Sequence, residues 1–247
     1  MSIPPPPTSE PEFFEALPDF MKDSLNRVRW FWRFDTPEKY QAMVKGYYRM
    51  INGIDRIIER LREELVRQGL EHDTVIILTS DNGYFLGEWG FAGKWLMHEP
   101  SIRVPLIVYD PRLPQALAGR VISEPTLNLD LAPTLLDFAG LAVPEKMQGY
   151  SLVPLLKGQT QTIRTEVFCE HLWDHPQIPP DRGSPYQGLE IHSLPEASDY
   201  EELYNLIDDP DESQNLASDP GQSLRLQSLR QKCRELAESA SQRGRGK

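Results

Sequence analysis

From Thr36 onward, apolar residues recur at steps of three and four: Tyr40, Met43, Val44, Tyr47, Ile51, Ile54, Ile58, Leu61 and Leu65. That spacing lays them along one stripe of a helix and predicts a long amphipathic helix ending near Gly69, eased at Gly53. Thr36 offers an N-cap oxygen, and Pro37 suits the first helical position. The period then changes. Thr74–Thr79 and Val104–Tyr109 are short runs, apolar on both faces, as in central parallel strands covered by helices on either side. NLDLAPTLLDFAG, Asn128–Gly140, has a cap, an early proline, an apolar face and a terminal glycine, hence a short helix. Helix, strand, loop, strand and helix in this order predict an α/β fold with a mostly parallel sheet, in which ligands gather at the carboxyl ends of strands.

After Leu141 the texture shifts. SLVPLLKG reads as a capped helical turn, EVFCEHLW as a strand, and the Pro/Gly-rich run Pro176–Pro195 as irregular. A polar amphipathic helix is expected over Ser223–Ala240. The expected organisation is a Pro-rich irregular lead-in over 1–35, a main α/β region over 36–142, a small α+β subdomain over 143–240 and a disordered tail over 241–247.

Composition narrows the function classes. The 247 residues carry a net charge of −11, and an acidic surface disfavours nonspecific binding to nucleic acid or an anionic membrane. The N-terminal stretch lacks the basic and apolar regions of a signal peptide, and no apolar run approaches a membrane span. Cys169 and Cys233 are far apart and follow no metal-type spacing.

Candidate chemistry concentrates in one loop. Asp81 and Asn82 stand at the end of a strand and offer a carboxylate beside an amide oxygen, hard donors suited to calcium or magnesium. Asp-Asn-Gly is equally a common turn, and composition leaves both readings open. Lys94 follows Gly87, Gly90 and Gly93, so the backbone is free to fold near a ligand while the ammonium supplies a point charge. Glu88, Trp89, Trp95, His98 and Arg103 are candidates for a pocket wall or for support behind it. Each also has a plain structural reading.

Taken together, TSDNGYFLGEWGFAGKWLMHEPSIRVPLIVYDPR resembles the sulfatase family of the alkaline-phosphatase-like superfamily: S-D-N-G after a strand, then L-G-E-H-G, G-K and Y-E-E-S-I-R-V-P-L. KGYYRMINGIDRIIERL, NLDLAPTLLDFAG, MQGYSLVPLLKG and YEELYNLIDDPDESQNLA extend the likeness in the same order, closest in flavour to the bacterial iduronate-2-sulfatase-like branch. The resemblance implies the C-terminal part of an alkaline-phosphatase-like sandwich. It also implies calcium ligands at Asp81 and Asn82, a sulfate contact at Lys94, and a sulfate ester substrate such as a sulfated polysaccharide. In that family the nucleophile is a formylglycine made from Cys or Ser in C-x-P-x-R, and relatives are usually exported.

No C-x-P-x-R or S-x-P-x-R segment occurs among these residues, so no nucleophile is assigned. The family's early Asp-Asp calcium ligands have no counterpart either. The expectation is a sulfatase portion that is inactive alone, needs a missing N-terminal segment, binds calcium weakly and exposes apolar helix faces. The alternatives are a non-catalytic remnant of the fold and, more distantly, a phosphate or phosphonate ester hydrolase. GSPYQGLEIHSLPEAS, Gly183–Ser198, departs from the family's V-R-T-x-x-W-K-Y-I strand, yet the genetic code lets Pro185–Leu194 read L-T-K-D-W-K-Y-I-H-F one nucleotide over. A compensated frameshift and a divergent loop both fit, and the gene's nucleotides decide.

Overall fold

The structure, a computed structural model, describes residues 1–171, 175–178, 181–186, 189–193 and 200–244, with only the backbone for 181–186, 189–193 and 241–244. Its helices are α1 (Pro11–Glu15), α2 (Asp19–Lys22), α3 (Leu25–Arg33), α4 (Pro37–Gln68), α5 (Glu99–Ile102), α6 (Leu131–Phe138), α7 (Val153–Leu156) and α8 (Ser223–Gly244). The strands are β1 (Ile76–Thr79), β2 (Phe85–Leu86), β3 (Ala92–Gly93), β4 (Leu106–Tyr109), β5 (Cys169–His171), β6 (Asp181–Tyr186), β7 (Leu189–Ser193) and β8 (Glu201–Asn205). They form two compact units, each assembled from separated stretches. One holds Met1–Arg62, Asn82–Pro105 and Phe168–Lys247; the other holds Glu63–Asp81 and Leu106–Val167.

In the first unit, Leu17, Met21, Phe85, Trp89, Phe91 and Leu96 make a core, with edge-on ring contacts at Phe85–Trp89 and Phe85–Phe91. Two of these residues come from the stretch expected to be irregular. That expectation is corrected: residues 1–35 contain α1, α2 and α3. Pro11 begins α1 and Pro18 is the N-cap of α2, positions where a missing N–H is harmless, so these prolines mark helix starts. α4 begins as predicted, with the Lys39 N–H donating to Thr36 Oγ1 at 3.3 Å and Gly69 closing it at φ +67°. It runs unbroken through Gly53.

The run read as irregular between Pro176 and Pro195 also needs correction, because β6 and β7 lie in it. The sheet order is β5-β6-β7-β8, all antiparallel. Ladder hydrogen bonds to strands on both sides outweigh composition there. The side chains on which the reading-frame expectation rests lie outside the described residues. α8 packs Leu226 and Leu229 on Leu203 of β8 and continues to Gly244, four residues into the expected tail.

In the second unit, β1 and β4 pair antiparallel, with Thr79 opposite Leu106 and Ile76 opposite Tyr109. Central parallel strands were expected. A parallel return needs a crossover to the far end of the sheet, usually through a long helix, and the chain between β1 and β4 has the four-residue α5 as its one α-helix, beside the short β2 and β3. Asp130 anchors this unit. Its carboxylate, fully buried, accepts from the Leu127 and Tyr150 N–H groups and from both terminal nitrogens of Arg164. Gly149 passes so close that a Cβ there would meet the Leu129 carbonyl oxygen at 2.0 Å.

Candidate functional site

β1 delivers the chain to Asp81, two residues beyond its last ladder position, where backbone carbonyls need new partners. Asn128 provides one. Its Nδ2 donates to the Ser80 and Asp81 carbonyls at 3.1 and 3.2 Å, while the Asp81 residue itself stays exposed. Both lie in the second unit.

Asn82 starts the loop of the first unit. Its Nδ2 donates to the Gly83 carbonyl at 2.7 Å, and its Oδ1 accepts from Lys94 Nζ at 2.6 Å. The Gly83 N–H donates to the Ser101 carbonyl at 2.7 Å. A Cβ on Gly83 would fall 2.1 Å from the Pro100 carbonyl oxygen, so only glycine permits this approach to α5. Lys94 is held between Gly93 at φ +107° and Trp95 at φ +98°. The structure thus joins Asn82 to Lys94, two residues that sequence reasoning placed in one site.

The other candidates fall elsewhere. Glu88, Trp89, Glu99 and Arg103 border a cavity of about 490 Å³, together with Tyr40 and the Pro4–Pro7 segment. Glu88 Oε2 accepts from the Leu86 N–H at 2.5 Å, and burial, with Asp211 adding repulsion, pushes its carboxyl above the ordinary glutamate range. Arg103 pairs with Glu99 at 3.0 Å on the surface. Trp89 is 4% exposed and belongs to the core. His98, a candidate for the pocket wall or the support behind it, is buried: its Nε2 lies 3.1 Å from Glu202 Oε2, and its ring sits near Trp89 and Tyr204. Aromatic packing explains this, since the ring fills a core position among Phe85, Trp89 and Tyr204 with the Glu202 carboxylate beside it. Burial, then the charge of Glu202, raises the Tyr204 hydroxyl well above its ordinary range. Trp95 lies under the Arg29 guanidinium at 4.4 Å.

The donors present do not complete a calcium site. Calcium takes six to eight oxygens, whereas Asn82 Oδ1 already accepts the Lys94 ammonium. Among the described residues no cluster of three or more His, Cys, Asp or Glu could hold a metal. Sequence reasoning missed Asn26, Asn128 and Glu202. A lone asparagine gives no periodic signal, and Glu202 stands in a short strand, EELYN, whose polar start gives no sign that its three central residues are all buried.

Comparison with known proteins now adds to this geometry. The sulfatase family model matches residues 3–141, more than half of the chain, and the model of the C-terminal region of N-sulphoglucosamine sulphohydrolase matches residues 87–239. The chain belongs to the sulfatase family. It is 40% identical over 141 residues to an N-acetylglucosamine-6-O-sulfatase of Bacteroides thetaiotaomicron, covering 56% of this chain and 25% of that sulfatase. A solved protein in complex with its substrate D-glucosamine-2-N,6-O-disulfate is similar at 31% identity and a TM-score of 0.76, covering 82% of this chain and 42% of that one. A solved 2-O GAG sulfatase shares the fold at a TM-score of 0.83 and 24% identity, covering 99% of this sulfatase-family chain and 54% of its own. The chain therefore spans about half the length of these solved sulfatase-family structures.

Proposed function

We propose that this chain supplies one side of a sulfuric ester hydrolase site, with Lys94 as the sulfate contact and Asp81 and Asn82 as calcium ligands, acting on sulfated saccharides. The observation that carries the reading of Lys94 is the 2.6 Å bond from its Nζ to Asn82 Oδ1, which fixes the ammonium at a strand-end loop of a sulfatase-family chain, whereas the calcium reading rests on the family resemblance and requires Asn82 Oδ1 to exchange that bond for the metal. An ammonium has three donors. With one on Asn82, two remain for an anion, and a fixed positive charge stabilises negative charge developing on sulfate oxygens. The sulfated glucosamine bound by a relative of similar fold supports the substrate class.

The nucleophile segment is absent from these 247 residues, so the chain alone should not cleave sulfate esters. A polypeptide segment bearing that nucleophile and further acidic ligands would complete the site and cover the exposed apolar residues of α4. The test is sulfate release from a model aryl sulfate, by the pure chain and by the chain mixed with such a segment. Activity only in the mixture is expected. Activity of the chain alone would overturn the inactive reading, and inactivity of both would favour a non-catalytic remnant of the fold. That second reading draws support from the Lys94 ammonium already occupying Asn82 Oδ1.

A further inference from the structure

The Lys94 loop is anchored from a direction the sequence did not flag. Asn26 lies on α3, 68 residues away in the chain, with no exposed surface, and its Nδ2 donates to the Lys94 carbonyl at 2.9 Å. The next peptide is held as well, since the Trp95 N–H donates to Ser101 Oγ at 3.2 Å. Trp95 adopts φ +98°, a backbone region that a bulky residue occupies only where its surroundings over-determine it. Arg29, one turn after Asn26 on α3, stacks its guanidinium on the Trp95 ring at 4.4 Å, and its Cδ would lie 3.4 Å from a Cβ on Gly93. Residues on both sides of Lys94 are thereby fixed against α3, while the ammonium reaches Asn82 Oδ1.

We infer that Asn26 is a positioning residue for the Lys94 ammonium, with Arg29 holding the strained Trp95 peptide beside it. Rotation of the Lys94 carbonyl would carry the side-chain root with it. Asn26 prevents that rotation from a fully buried position, where its donor has no water to turn to. The inference rests on the reading of Lys94 as the anion contact only for its functional consequence; the placement itself stands without sulfate or metal.

The test uses the full 247-residue chain and reads the proton-exchange rate of the Lys94 ammonium by NMR. Asn26→Ala should speed that exchange about tenfold or more as the loop opens locally. Arg27→Met is the control. Arg27 NH1 donates to the Gly90 carbonyl at 3.1 Å and stacks on Phe14 and Trp30, so its loss lowers the melting temperature without touching Lys94. If N26A and R27M lower the melting temperature alike and leave Lys94 exchange alike, Asn26 is merely structural and the inference falls. Should N26A fail to fold, the wild-type chain decides: the Asn26 side-chain amide protons must be strongly protected, and rapid exchange there overturns the inference. Adding sodium sulfate separates the two readings. A Lys94 signal that is slow in wild type, fast in N26A and unmoved by sulfate upholds the positioning and removes the sulfate role.

Discussion

The two ends of α4 carry the same apolar stripe and meet different fates. Tyr40 and Val44, near its start, are 9% and 2% exposed and pack with Phe34 and Ala92. Ile51, Ile54 and Leu61, further along the same stripe, stand 45%, 46% and 47% exposed. The helical period is uniform throughout, so it states which side needs cover without stating what covers it. Short lead-in elements and β3 do so at the first end. At the second, these positions stay open among the described residues.

This contrast can be broken or sharpened by substitution. Val44→Asp places an unpaired charge in the packed end and should cost ~3–5 kcal/mol, or prevent folding, by urea denaturation. Thr36→Ala removes the cap oxygen that receives the Lys39 N–H and should cost ~1 kcal/mol in the same assay. Glu88, bordering the same cavity as Tyr40, gives a smaller, pH-dependent effect. Its carboxyl is raised by burial, so the protonated form stabilises the fold below the ordinary glutamate range, and that contribution is lost as pH rises through the raised value. Glu88→Gln should therefore flatten the dependence and melt higher than wild type at neutral pH, as a series of melting temperatures across weakly acid to weakly alkaline buffers will show. Ile57→Asp, at the open end, should change stability by no more than ~0.5 kcal/mol while reducing aggregation, measured by light scattering. A large loss from I57D would mean that the face is covered after all.

The pairing of Asn82 with Lys94 was legible for local reasons. The strand ending at Asp81-Asn82-Gly83 and the glycine-punctuated run to Lys94 are contiguous patterns, and they led to two residues that the fold does join. For His98 the sequence left the pocket and structural readings open, because a histidine in a loop carries no sign of whether the loop turns inward. Here it faces Glu202, more than a hundred residues later.

The sequence by itself determined the extent of α4, the presence of α6 and most of α8, because helical hydrogen bonds and caps close within a few residues. It also determined the chemistry available at Asp81, Asn82 and Lys94, together with the family resemblance those residues carry. Tertiary structure alone decided that β1 and β4 run antiparallel, that residues 181–186 and 189–193 join a sheet, and that a buried asparagine on α3 holds the Lys94 carbonyl. Those outcomes depend on groups brought together across tens of residues. Their energy comes from ladder partners and from desolvated donors finding acceptors, neither of which leaves a periodic trace in the chain.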